Sequence, residues 1–367
     1  MKHPTANSAK RNSAKRNSAT RTVNPASAPD VPPEPGATDS ASATGAAGTT
    51  GKTRTTGMTP ATGMTRPTGK TRTTGKTRPT SKIRATGKAR ATGKTRATLD
   101  EASLSDSTLP LIIGHRGASA VAPENTLAAF VRALDDGADG IEFDVRLARD
   151  GVPVVIHDAT LRRTAGLDVP IAALSSSDLS AVDVGSWFNR RRPARAIAAY
   201  APETIPTLAS VFLTVAPRCR LLYVELKCET GETARLVERV VAEVRAHGLE
   251  RRVVIESFTL AAVAEAKRLA PDIRTAAAFE RRPVRPLLTA RALLQRARDA
   301  RADELALARS LVSRRTVEAA RARGLQTVVW TVDHPSWFAR ACALGLRAVI
   351  TNDPARMRAA RDEFLKP

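Results

Sequence analysis

Five short apolar runs in this 367-residue chain are ended or interrupted by side chains that could do chemistry. LPLIIG at 109–114 runs into His115 and Arg116, and IEFDV at 141–145 carries Glu142 and Asp144. VPVVIHD at 152–158 ends in His157 and Asp158, LLYVELK at 221–227 carries Glu225 and Lys227, and TVVWTVD at 327–333 carries Trp330 and Asp333. Residues two apart on a strand face the same side, so Glu142 joins Asp144 and Glu225 joins Lys227. Carboxylates turned into a fold repel one another and are costly to desolvate unless positive charge stands between them. Glu142, Asp144 and Glu225 therefore suit one hard divalent cation, Mg²⁺ or Ca²⁺. His115 and His157 can supply one acid and one base. Arg116 can grip a phosphate through its fork, and Lys227 can add a point charge. Together they describe a phosphoryl-transfer site.

Taken singly, each residue has a plainer reading. An EFD strand is more often an edge strand with one wet face, and a strand-end histidine more often a hydrogen-bonded structural residue. Convergence on one rim is what favours chemistry. His247 in a helix-end turn, His3 near the N-terminus and His334 before Pro335 read as structural, capping or solvated. The chain has no GxSxG elbow, which removes the serine-hydrolase reading.

The elements that must position these groups alternate. LPLIIG is apolar throughout, as a strand buried on both faces is. ENTLAAFVRALDDG then places Leu127, Phe130, Val131 and Leu134 at helical spacing, with Asn125 or Thr126 as N-cap and Gly137 as stop. Further strands are expected at 253–258, 274–279, 304–308 and 348–351, separated by helical stretches such as the stripe Leu236, Val237, Val240, Val241 and Val244. HisGlyLeu at 247–249, ArgGlyLeu at 323–325 and LeuGlyLeu at 344–346 supply the glycine stops. Alternation of this length predicts a parallel α/β domain, a distorted (β/α)8 barrel with its chemistry at the C-terminal strand ends. A doubly wound sheet is the weaker alternative, because GHRGAS is not a GxGxxG phosphate loop. Only about a dozen residues separate Asp144 from His157, marginal for a helical crossover. One of the nine strand segments is therefore expected to lie outside the barrel.

Residues 1–108 read differently. NSAKR-type pentads fill 7–21, and TGKTRT-type hexads run from Thr50 to Ala97. These units carry almost no large apolar side chain, so a disordered basic tail is expected ahead of a domain spanning 109–367. Residues 1–99 hold 19 Lys+Arg against 3 Asp+Glu, which is +16 of the net +22. Contact with nucleic acid or an anionic surface is conceivable for such a tail, but the simpler expectation is a solvated segment, since no aromatic is there to stack on bases. Three cysteines without a CxxC pair suit a reducing cytoplasm. No apolar core follows the basic N-terminus, as a secretory signal would require. No stretch approaches the roughly 18 apolar residues of a membrane helix, so a soluble cytoplasmic protein is expected.

The motifs GHRGAS (114–119), PENT (123–126), EFDVRLARDG (142–151), VVIHDATLRRTAG (154–166), IPTL (205–208), ELK (225–227), ESF (256–258), WTVD (330–333) and ITNDP (350–354) together resemble the glycerophosphodiester phosphodiesterase family. The resemblance runs from about Leu109 to about Met357. It implies a TIM barrel with a short insertion at about 160–205. It also implies one divalent metal ion, Mg²⁺ or Ca²⁺, held by Glu142, Asp144 and Glu225. His115 and His157 would act as general base and acid, Arg116 and Lys227 would hold phosphate, and Trp330 would line the pocket near the alcohol. The implied reaction releases sn-glycerol 3-phosphate and an alcohol from small glycerophosphodiesters. A lysophospholipase D-like activity on lipids, or a non-catalytic polyanion binder working through the tail, are the alternatives. Departures are mild: AlaArgAsp at 148–150 stands where the family often has Thr-Lys-Asp, and 280–302 is arginine-rich.

Overall fold

The computed structural model describes residues 109–281 and 289–367; the expected tail and part of the arginine-rich stretch lie outside the described residues. Among the described residues nine strands form one sheet: β1 (Leu111–His115), β2 (Gly140–Leu147), β3 (Pro153–Val155), β4 (Leu221–Leu226), β5 (Val253–Ser257), β6 (Arg274–Phe279), β7 (Glu304–Ala308), β8 (Gln326–Trp330) and β9 (Ala348–Thr351). All but β3 are parallel neighbours, and the pairing of β1 with β2 closes them into an eight-stranded barrel. These strands are apolar almost throughout because both faces are buried. Phe143, Val224 and Ile255 point out against the helices, where they join Leu236, Val237 and Val240. Leu111, Ile113, Tyr223, Val254, Ala276 and Ala306 point in.

The expected caps hold. Thr126 caps the helix Leu127–Asp135 by accepting from the Ala129 amide, and Gly248, Gly324 and Gly345 take the left-handed conformation at helix ends. The barrel interior also carries a buried polar group that sequence reasoning did not single out. The Tyr223 hydroxyl donates to Glu304 Oε2 at 2.7 Å, and Arg347 Nε lies 3.1 Å from Glu304 Oε1.

β3 is the strand left over, and its geometry corrects one expectation. His157 does not end a barrel strand. β3 turns back antiparallel on β2, pairing Val155 with Val145 and Pro153 with Leu147. The chain rises past the rim on β2 and descends on β3, and the Ile156 amide donates to the Asp144 carbonyl at 2.9 Å. A hairpin thus returns His157 to the level of the carboxylates, which explains the short spacing. Residues 160–205 then form short helical turns in which Leu161, Ile171, Leu179 and Val184 share a small apolar cluster with Ala148, Val154 and Ile156.

Candidate active site

Glu142, Asp144 and Glu225 all turn inward near the C-terminal ends of β2 and β4, where Asp144 and Glu225 are register partners. Each offers an oxygen within 4.8 Å of the others, and all three are buried. Burial, then the charge of Asp144, push the Glu142 and Glu225 carboxyls up to about 8. Asp144 is also buried, but Arg116 and Lys227 hold its carboxyl well below the usual range. Arg116 Nε lies 3.0 Å from Asp144 Oδ2, and Lys227 Nζ lies 3.0 Å from Asp144 Oδ1 and 2.5 Å from Glu225 Oε1. The carboxylates therefore exceed the cations that face them.

His115 and His157 are both anchored through Nδ1, by different partners. His115 Nδ1–H donates to Asn352 Oδ1 at 2.7 Å, and the orientation of that amide is set by its own donation to Asp333 Oδ2 at 2.8 Å. His157 Nδ1–H donates to Asp158 Oδ1 at 2.7 Å. Each ring thus turns Nε2 away from its anchor, and His115 Nε2 lies 3.9 Å from Glu142 Oε2. Burial, then Arg116, depress the basicity of His115. Burial also depresses that of His157, with Asp144 and Asp158 opposing the shift.

These side chains surround one cavity of about 400 Å³. His115, Arg116, Glu142, His157, Glu225, Lys227 and Trp330 line it, and Asp144 lies buried behind them. Phe258 packs edge-on to Trp330 with ring centroids 5.4 Å apart, and Lys227 Nζ sits 5.8 Å from the Phe258 ring centre. The eight residues singled out in the sequence thus come together in one place.

Four more surround the cavity and were not given site roles from sequence, Asn125 having been read only as a possible N-cap. Asn125 sits at positive φ and donates to Asp144 Oδ2 at 2.8 Å, while Glu124 accepts from Arg116 Nη1 at 2.9 Å. Asn352 is the support for His115. Glu256, from β5, lines the cavity with its Oε2 buried and unbonded. Glu124 and Asn352 were visible only as letters in PENT and ITNDP. Glu256 carried a signal, because a charge inside VVIESF is the same interruption that marked Glu142.

The glycerophosphoryl diester phosphodiesterase family model matches residues 115–356, about two thirds of the chain. The chain belongs to this family. A glycerophosphodiester phosphodiesterase of Caldanaerobacter subterraneus subsp. tengcongensis is 32% identical over 244 residues, covering 66% of this chain and 94% of the relative. Among solved structures, an Oleispira antarctica phosphodiesterase in complex with the product sn-glycerol-3-phosphate aligns with a TM-score of 0.61 at 29% identity, covering 70% of this chain and 98% of that one. A Silicibacter pomeroyi glycerophosphoryl diester phosphodiesterase, named as putative, aligns with a TM-score of 0.61 at 28% identity over 70% and 94%. As a member of this family the chain is a phosphoric diester hydrolase.

Proposed function

We propose that the chain hydrolyses small glycerophosphodiesters to sn-glycerol 3-phosphate and an alcohol, with one divalent cation, Mg²⁺ or Ca²⁺, held by Glu142, Asp144 and Glu225. The observation that carries this reading is the pair of imidazoles, each anchored at Nδ1, on a cavity that also holds the carboxylate cluster. The residues fit such a cation. Oxygen ligands suit hard ions, and two carboxyls pushed toward protonation mark negative charge that Arg116 and Lys227 do not balance. When bound, the cation would supply charge stabilisation at the phosphate.

The protein's own groups do the rest. Burial and the neighbouring Arg116 keep the His115 ring uncharged, so it is available as the base toward the attacking hydroxyl, whether water or a glycerol oxygen. His157 is backed by the Asp158 carboxylate, which stabilises an imidazolium, so it is the better acid toward the departing alkoxide. Arg116 and Lys227 face the transferring phosphate with fixed positive charge, and such preorganised charge is usually the largest catalytic contribution. Trp330 and Phe258 form an apolar wall for the alcohol side.

A lipid-directed activity would call for an apolar mouth. In the inserted segment the exposed large hydrophobics are Leu167 and Ile197, among exposed arginines, so the small substrate is favoured. The free thiols Cys219, Cys228 and Cys342 suit a reducing cytoplasm. Among the described residues no helix is long and apolar enough to cross a membrane.

The test is phosphorus NMR of the full chain with glycerophosphocholine, glycerophosphoethanolamine and a lysophospholipid, in the presence of Mg²⁺ or Ca²⁺. The expected product is sn-glycerol 3-phosphate from the first two. Cleavage of the lysophospholipid alone would replace this reading with the lipid one, and no product from any of the three would overturn both.

A further inference from the structure

Arg163 lies outside the cavity, yet it touches the supports of two groups on the cavity's wall. It sits in the short helix Arg162–Ala165 that opens the inserted segment. Its Nε donates to Asp158 Oδ2 at 2.6 Å, and Asp158 is the carboxylate that orients His157. Its Nη1 and Nη2 donate to Glu124 Oε2 at 2.9 Å and Oε1 at 2.8 Å. Glu124 Oε1 also accepts from Arg116. One guanidinium therefore spans two carboxylates from different loops, each bonded to a residue that lines the cavity. Its face lies over the Trp187 ring, 5.5 Å from the centroid, and Trp187 packs against the buried pair Phe188 and Tyr200. The inserted segment thus holds the fork from behind.

We propose that Arg163 is a positioning residue that fixes His157 and Arg116 relative to each other by clamping Asp158 and Glu124 in one plane. The inference rests on the reading of His157 and Arg116 as parts of the phosphodiesterase machinery. The physical argument is one of valence and shape. Without a cation between them, Asp158 and Glu124 repel, and each is free to turn away from the residue it supports. A planar fork can bond both carboxylates at once, whereas a lysine ammonium is a single point that cannot span them in the same geometry. Exposed arginine–carboxylate pairs ordinarily matter little. This one differs in being bidentate to a well-buried Glu124 and in having its plane fixed by an indole.

The experiment compares the full chain with Arg163→Gln, Arg163→Lys and Arg163→Ala, using kinetics, thermal unfolding and crystallography. The expected result is a fold-retaining loss of about 10- to 100-fold in kcat, the cost of a displaced catalytic group. The loss should be smaller on a nitrophenyl ester, whose leaving group needs no proton from His157. Arg163→Lys should not recover the rate, and guanidinium ion, at concentrations that leave the fold intact, should restore part of it to Arg163→Ala. Wild-type kcat and KM in Arg163→Gln, or a loss that only follows the fraction unfolded, would overturn the proposal. The crystal structure of Arg163→Gln needs no substrate and so separates this inference from the substrate assignment. A lost His157–Asp158 hydrogen bond supports it, and unmoved His157 and Arg116 overturn it even if the substrate reading also fails.

Discussion

At the scale of the residue, His115 and His157 differ chiefly in what stands behind Nδ1, an amide for one and a carboxylate for the other. On the proposed reading His115 is the base and His157 the acid, and that assignment can be measured. His115→Ala should lower kcat by about 100- to 10,000-fold on any diester, because the attacking oxygen must always lose its proton. His157→Ala should cost a similar factor on an alkyl diester but far less on a nitrophenyl diester, whose leaving group departs without protonation. Equal losses for both variants on both substrates would contradict the assignment. Asp158→Asn should follow His157→Ala in its leaving-group dependence, with a smaller effect.

At the scale of the element, the β2–β3 hairpin and the loop after β1 bring the histidines to the rim. The loop turns on Gly117, whose φ is +83° and whose added Cβ would lie 2.6 Å from the Ala129 carbonyl. Gly117→Ala should lower stability by about 1–3 kcal/mol, read by denaturant unfolding, because strain and overpacking add. It should also lower kcat, since His115 and Arg116 lie directly before the turn. Inside the barrel, Tyr223→Phe leaves a Glu304 oxygen without its hydroxyl donor. The expected cost is about 1–3 kcal/mol of stability with kcat nearly unchanged, because neither the hydroxyl's partner Glu304 nor the Arg347 beside Glu304 lines the cavity.

Much of this was legible in the sequence for a simple reason. Strands buried on both faces write themselves as apolar runs, so an interrupting Glu142, Asp144 or Glu225 stands out, and glycine stops such as Gly324 mark where helices end. The antiparallel turn of β3 left only its spacing as a trace. Asn352 and Glu124 were hidden because their task is to hold another residue, and that relation exists only once distant loops meet. Tyr223 with Glu304 and Arg347 was hidden likewise, its members coming from β4, β7 and the approach to β9.

At the scale of the whole molecule, the catalytic account needs only the barrel, while most of the net charge lies in residues 1–99. Deleting residues 1–99 should therefore leave kcat/KM on a small diester unchanged and sharply weaken retention on heparin at low salt. A large fall in kcat/KM would show that the segment takes part in turnover. The most direct test of the central claim is divalent-ion titration of the full chain and of Glu142→Ala, by calorimetry, alongside glycerol 3-phosphate release with and without chelator. The account predicts one bound ion, activity that chelator removes and Mg²⁺ or Ca²⁺ restores, and a loss of orders of magnitude in both affinity and rate in the variant. Full turnover in chelator, or wild-type turnover in Glu142→Ala, would contradict it.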